Sequence, residues 1–291
     1  MKIRSTCAPS HRVPELTAEV PPLGGFHSIV ALTARSGDAD PPDSATHHRP
    51  TRDVRLLSLQ QLANLLPEVA RNQDGQPMEV ALQAAPLGAR QYEARVYHEG
   101  KLPLRPGHVH DLFNLAMWCR WPRSKATLNA LQVERGWLGE SKQRTAAGNA
   151  ATLLDECGVV LLGDEPQVTS LLRAHRWQEL FVTHRGDWGR SLHALTLGHG
   201  LLEQLCQPFD GLTAKCVVLP RGGGQPSTAE SQSRVDDQLA RWIAALSDTR
   251  QLLPLPVLGI PGWHRANEDP SYYQNTRYFR PLGGQRTKHG P

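Results

Sequence analysis

Four groups of residues in this chain of 291 have the types and spacing that chemistry needs. The first is His108-Val109-His110-Asp111-Leu112-Phe113-Asn114. A helix starting near His110 puts His110 and Asn114 one turn apart, on a face shared with Trp118. Asp111 then falls in the first turn, where the helix dipole favours a carboxylate. An imidazole, an acid and an amide converging there can orient a substrate, move a proton or ligate a metal. The same residues also read as a capping acid beside a His that ties down the preceding loop. The second group is Gly198-His199 with Glu203, whose i, i+4 spacing suits two ligands of one metal and is equally an ordinary helix-surface pair. Its value depends on His199 approaching His110 in space. The third is the polar stripe Arg144, Thr145, Asn149, Thr152, Asp155 and Glu156. Its paired acids could serve as base or metal ligand, although adjacent acids diverge on a helix, and a solvated face explains it too. The fourth is Lys125 with Asn129. A lysine near a helix N-terminus opposes the dipole, which points either to a substrate anion or to a plain surface charge.

These residues need elements to hold them. The leucines at 57, 59, 63, 65 and 66 predict a helix over 56–69. The stretches 80–83 and 91–97 read as short strands, the second because Tyr92, Ala94 and Val96 alternate with polar neighbours. Gly100 turns the chain, and Pro103 and Pro106 keep 101–106 extended. Leu112, Leu115, Ala116 and Cys119 form the apolar stripe of a helix over 109–121, ended by Pro122. Ser124 is placed to cap a helix over 125–135 closed by Gly136, and Ser141 to cap one running to Cys157. A strand over 159–162, helices over 166–184 and 189–207, and a strand over 212–219 follow. A Gly/Ser/Gln-rich loop over 221–233, a helix over 235–246 and a Pro-rich extended end complete the chain. Strand–helix–strand units do not alternate regularly. The expectation is an α+β fold, a mostly helical single globular domain over 53–281 with a few short strands. Residues 1–50, broken by Pro21-Pro22, Gly24-Gly25 and Pro41-Pro42, read as a poorly ordered, disordered leader, and 282–291 as a flexible tail.

Composition narrows the function classes. Hydrophobic residues make up 39%, and the shortfall lies at the two ends, so the rest can bury a core. The net charge of +4, from 32 basic and 28 acidic residues, is too small and too scattered to indicate nucleic acid by itself. Five cysteines without a CxxC pair fit a reducing compartment. Residues 1–16 lack the apolar region of a secretory signal, and 28–34 are too few to span a bilayer. A soluble, cytoplasmic protein is expected, with no membrane partner. The sequence has no GxSxG, P-loop or HExxH motif, and Gly222-Gly223-Gly224 does not open a helix after a strand.

The ordered series Leu102-Pro103-Leu104-Arg105, His110-Asp111-Leu112-Phe113-Asn114, Trp118, Trp121-Pro122-Arg123-Ser124-Lys125, Leu128-Asn129 and Leu153-Leu154-Asp155-Glu156 resembles a bacterial family, domain-of-unknown-function family 3025. Gly198-His199, Glu203, Pro261-Gly262-Trp263 and Tyr278-Phe279-Arg280 continue it, over about 53 to 281. The resemblance implies a bacterial protein and no established activity.

Three readings of function follow. The first is an enzyme, metal-assisted or His-dependent, of hydrolase type. Its catalytic residues are His110 and Asp111, and its substrate-binding residues are Asn114, Trp118, Lys125 and Asn129. The metal set is His110, His199 and Glu203, suited to a divalent metal, with a small-molecule partner. It requires His110 and His199 in one concave pocket. The second is a non-catalytic binding or assembly protein with a protein partner, in which the His-Asp-Asn cluster is a structural polar network and an apolar patch is exposed. The third binds nucleic acid through Arg120, Arg123, Lys125, Lys142, Arg144 and Arg185 on one face.

Overall fold

The computed structural model describes residues 66–83, 85–105, 108–222 and 229–283. The predicted leader, the first ten residues of the predicted 56–69 helix and the tail from 284 lie outside the described residues. The rest is α+β and mostly helical, as expected. Strand β1 (Glu79–Leu82) pairs in parallel with β2 (Lys101–Leu104). A parallel pair needs a crossover, and helix α1 (Ala89–Glu99) supplies it. The strand predicted over 91–97 is therefore a helix. Ala89, Arg90, Gln91, Glu93 and Ala94 are good helix formers, and the inward residues are Tyr92 and Val96, four apart, not an alternating set. Gly100 closes it in the left-handed region (φ 64°), its N–H donating to Val96 O at 3.1 Å. A Cβ there would also stand 2.7 Å from Pro77 O.

Helices α2 (Val109–Arg120) and α3 (Pro122–Arg135) follow β2, then α4 (Ala146–Cys157). Helix α2 starts where expected, whereas the starts of α3 and α4 differ from expectation. Pro122 opens α3, and its free N–H groups are taken by Asp236 from a distant helix. Asp236 accepts from Arg123 N and Ser124 N, both at 2.9 Å, and from Ser124 Oγ at 2.6 Å. Ser124 is thus a donor, not the cap. Thr145 caps α4, accepting from Gly148 N at 3.0 Å, while Ser141 serves the preceding turn.

The second sheet has the order β4-β3-β5-β6, with β3 (Gly158–Gly163) central, parallel to β5 (Thr213–Pro220) and antiparallel to β4 (His193–Thr196). Strand β6 (Leu253–Pro256) runs antiparallel to β5. The run Val159-Val160-Leu161-Leu162 is buried on both faces, as a central strand should be. Val159 and Leu161 face helix α5 (Glu165–Arg173) and the aromatic cluster of Trp177, Phe181, Tyr273 and Phe279. Val160 and Leu162 face α2, α3, α4 and helix α7 (Ala229–Ala244). The expected helix over 166–184 is broken after Arg173, and a short π turn at Glu179–Thr183 follows. The expected helix over 189–207 is instead β4 followed by helix α6 (His199–Leu205). Gly189 in the left-handed region (φ 80°) and the central strand's need for an antiparallel neighbour account for the change. Among the described residues no helix is long and apolar enough to cross a membrane.

Candidate functional site

Helix α4 runs straight into β3 without a loop, so its last turn lies against the start of α6, which follows β4 next door. Glycine makes that approach possible. A Cβ on Gly198 would stand 2.5 Å from Glu156 O, and one on Gly200 would stand 2.5 Å from Glu156 Oε2. Gly198 N bonds Gly158 O at 2.9 Å, and Trp121 Nε1 at the end of α2 bonds Thr196 O at 2.8 Å. The ends of α2, α4 and β4 are thereby tied together around His199, which is 4% exposed.

His110, in the first turn of α2, meets His199 there. Their Nε2 atoms lie 3.1 Å apart, with the rings edge to face. Glu156 Oε1 is 3.5 Å from His199 Nε2. One donor atom from each of His110, Glu156 and His199 falls within 4.8 Å of the others. Behind His110, Nδ1 lies 2.9 Å from Glu203 Oε2. A carboxylate only accepts, so Nδ1 carries the proton and Nε2 of the neutral ring keeps its lone pair. This bond with Glu203 raises the His110 pKa despite burial and lowers that of Glu203. Behind His199, Nδ1 has no hydrogen-bond partner, and Asp155 Oδ2 lies 4.0 Å away. Burial pushes the Glu156 carboxyl up, but the His199 hydrogen bond and the charges of His199, His110 and Lys125 outweigh it and bring it down to about 2.

His110, His199, Glu156 and Asp155 line one wall of a cavity of about 250 Å³. Asp111, Asn114, Glu93 and Arg144 also line it. Asp111 is closed off by Arg105, which donates its Nε and backbone N to Oδ2 and Nη2 to Oδ1. Asp111 thus fixes the junction of β2 and α2, and the group that orients His110 is Glu203. Asn114 donates to Tyr92 Oη at 2.6 Å. Lys125, Asn129 and Trp118 stand behind this cavity, around a void of about 10 Å³. Trp118 is 2% exposed and packs in the core of α1, β2 and α2. Lys125 is buried, paired with Asp155 and set over the Trp118 ring, so it is not a surface charge. Asn129 donates to Glu93 Oε2 at 2.7 Å. Sequence reasoning placed Glu203 in the metal set and left Glu156 as one member of a diverging pair. Both acids of that pair face inward because α4 is flanked on both sides: Asp155 turns to Lys125 on α3, and Glu156 to His199 on α6. The six cations of the nucleic-acid reading do not form one solvated stripe. Lys125 is buried, Arg144 lines the cavity, Arg123 pairs with Asp237 and Arg185 with Glu268.

Glu93, on α1 across the cavity, is the carboxyl that sequence patterning concealed, because its segment read as a strand. Burial and the Asp155 charge push it up to about 7, against the Asn129 bond and the charges of Lys125 and Arg144. Its unfolded value is near 4.5, so the folded state holds the extra proton between the two values. The associated stability is full below about pH 4.5 and is lost as pH rises through 7. Glu93→Gln is therefore expected to leave stability unchanged near pH 4 and to add about 2 kcal/mol near pH 8.5. That figure lies below the full linkage value because the carboxyl faces the cavity. Urea unfolding at the two pH values measures it, and an equal difference at both would refute it.

With this geometry in view, the comparisons place the chain. A family model described as "Protein of unknown function (DUF3025)" matches residues 79–283, and the chain belongs to that family. The match begins at β1 and takes in all of the site described above. No curated protein and no solved structure matches the chain.

Proposed function

We propose that this protein is a metal-dependent enzyme of hydrolase type acting on a small molecule in the cavity between α1, α2, α4 and α6. The supporting observation is the convergence of His110 Nε2, His199 Nε2 and a Glu156 oxygen within 4.8 Å at the cavity wall. Two imidazoles and a carboxylate are a borderline donor set that suits zinc, manganese or iron. Tautomers support the same reading. His110 Nδ1–H is held by Glu203, as a metal-binding His is normally held by a carboxylate. If His199 instead donates Nε2–H to His110, its Nδ1 becomes a buried acceptor facing the Asp155 carboxylate. A cation at Nε2 puts the proton on Nδ1, toward Asp155, and removes that conflict.

Three protein donors leave coordination positions open, which distinguishes a catalytic from a structural metal. When bound, the metal supplies a water activated near neutral pH. The chain's own residues do the rest. Glu203 fixes the His110 ring, Asp155 faces Nδ1 of His199 at 4.0 Å, Asn114 and Tyr92 hold a polar wall, and Glu93 can take or give a proton near neutrality. Burial raises the thiols of Cys119, Cys206 and Cys216, Cys206 to about 11 and Cys119 to about 12. That fits our placing the protein in a bacterial cytoplasm.

The test is elemental analysis of purified full-length protein beside His110→Ala. One equivalent of a divalent transition metal in the first and none in the second is expected. Metal in neither, after dialysis against each candidate ion, overturns the reading and leaves the His110–His199 pair as an acid–base couple. Metal in both would place the ion elsewhere.

A further inference from the structure

Among the described residues, Arg144 is the cation lining the cavity that no carboxylate closes. It precedes Thr145, the cap of α4. Its Nη1 donates to Gln132 Oε1 at 2.8 Å and to Thr152 Oγ1, and its guanidinium lies 4.6 Å from the Trp137 ring centroid. All three supports are neutral. Arg105, on the same cavity, is closed by Asp111, and Lys125 by Asp155. Among the described residues Arg144 has no carboxylate within 4.0 Å, and its side-chain hydrogen bonds to Gln132 and Thr152 both leave from Nη1. The nearby acids are engaged elsewhere: Glu93 by Asn129, Asp155 by Lys125 and Glu156 by His199. Burial works against its charge, while the more distant charges of Glu93, Glu156 and Asp155 favour it, and the guanidinium stays protonated. A partly desolvated cation held rigid by neutral groups, with no carboxylate in direct contact, is one that a ligand anion can complete. A second polar group in the same cavity is also incomplete. Asn114 is 8% exposed, and its Oδ1 has no partner.

We propose that Arg144 is an anion-binding subsite of this cavity and that the substrate carries a carboxylate or phosphate group seated on it. That the anion belongs to a substrate rests on the enzyme reading above; the subsite itself does not. The spacing defines the ligand further. Thr152, which braces Arg144, and Glu156 are one turn apart on α4, about 6 Å along its axis. The anionic group and the reacting bond of the substrate are therefore separated by only a few bonds, and the substrate is a compact anionic metabolite. The Nε and Nη2 donors of the guanidinium match the paired oxygens of either anion.

The test uses the full chain freed of metal and dialysed into chloride buffer near pH 8. Inorganic phosphate and acetate are titrated separately by calorimetry at fixed ionic strength. The stronger of the two identifies which group the subsite takes. Wild type is expected to bind one anion. Arg144→Gln is expected to weaken it at least about tenfold, and Arg144→Lys, which keeps the charge but not the fork, by less. His199→Ala is expected to leave it unchanged. No binding by wild type, equal affinity in all three Arg144 forms, or loss in His199→Ala alone would each overturn the proposal. Circular dichroism of each variant confirms folding. Elemental analysis reads the metal site independently, so a wild type that takes up no metal on dialysis against each candidate ion, yet binds phosphate through Arg144, refutes the enzyme reading and not this one.

Discussion

Asp155→Ala is expected to cost about 3–5 kcal/mol of stability near neutral pH. Its partner, Lys125, is 3% exposed, lies over the Trp118 ring and has Asp155 as its paired carboxylate. Removing Asp155 leaves an ammonium group in the core without a counter-charge. That is far worse than removing the pair, because the desolvation of both ions is already counted against the folded state. One neighbour tempers the loss. Asp155 is among the causes that hold the Glu93 carboxyl up, so in its absence Glu93 ionises more readily and faces Lys125. The deficit should accordingly be larger near pH 5 than near pH 8. The double variant Lys125→Met/Asp155→Leu should recover most of the loss. Urea unfolding of the three proteins decides the matter. A single-variant cost below about 1 kcal/mol, or a double variant no more stable than the single, would show that the pair is not what holds α3 against α4.

The contrast between Lys125 and His110 shows what sequence spacing can and cannot convey. His110, Asn114 and the start of α2 were legible because a single turn of helix fixes them relative to each other. The alliance of His110 with His199 was stated as a condition and is met at 3.1 Å, although nothing in the spacing of residues 89 apart could supply the distance. Glu203 shared its helix with His199, so sequence logic made them co-ligands. In space the helix presents Glu203 to the far side of the His110 ring. Lys125 at a helix start looked like a surface charge seeking an anion, yet the anion is Asp155, thirty residues on, and the helix carrying it was already known to be polar. Arg144, which no carboxylate among the described residues closes, belongs to a stripe that the sequence explains equally well as a solvated face.

The fold was legible to a similar depth. Helices with an apolar stripe and a Pro or Gly terminus, α2 and α3, and the wholly apolar strand β3 stood out because local signals sufficed. The segments misread, 91–97 and 189–207, are those where tertiary demand decides. Glu93 breaks any stripe because its carboxyl faces a cavity. His193–Thr196 becomes a strand because β3 needs a neighbour. These two lie at the edges of the site, where local sequence serves geometry and not packing, whereas the break in the 166–184 helix falls in the aromatic cluster on the other face of the sheet.

That same division between ligands and the residues behind them makes a graded prediction for the metal centre. His199→Ala removes a donor atom. If four ligands share the ~10–16 kcal/mol typical of a zinc site, one is worth about a hundredfold to a thousandfold in affinity. Glu203→Gln leaves all three donors and removes only the charge that holds the proton on His110 Nδ1. Losses at such positions run about tenfold to a hundredfold. Asp111→Asn, next in sequence to His110, is expected to change affinity by less than about threefold, because both Asp111 oxygens serve Arg105 and neither touches the ring. Competition with a chromophoric chelator near pH 7.5 ranks the three variants. Equal losses in His199→Ala and Glu203→Gln would make Glu203 a ligand and return the metal to the far side of His110. A loss in Asp111→Asn matching that of Glu203→Gln would restore the acid beside His110 as its orienting group. Only the order His199, Glu203, Asp111 follows from an ion bound between the two facing Nε2 atoms with Glu156 beside them.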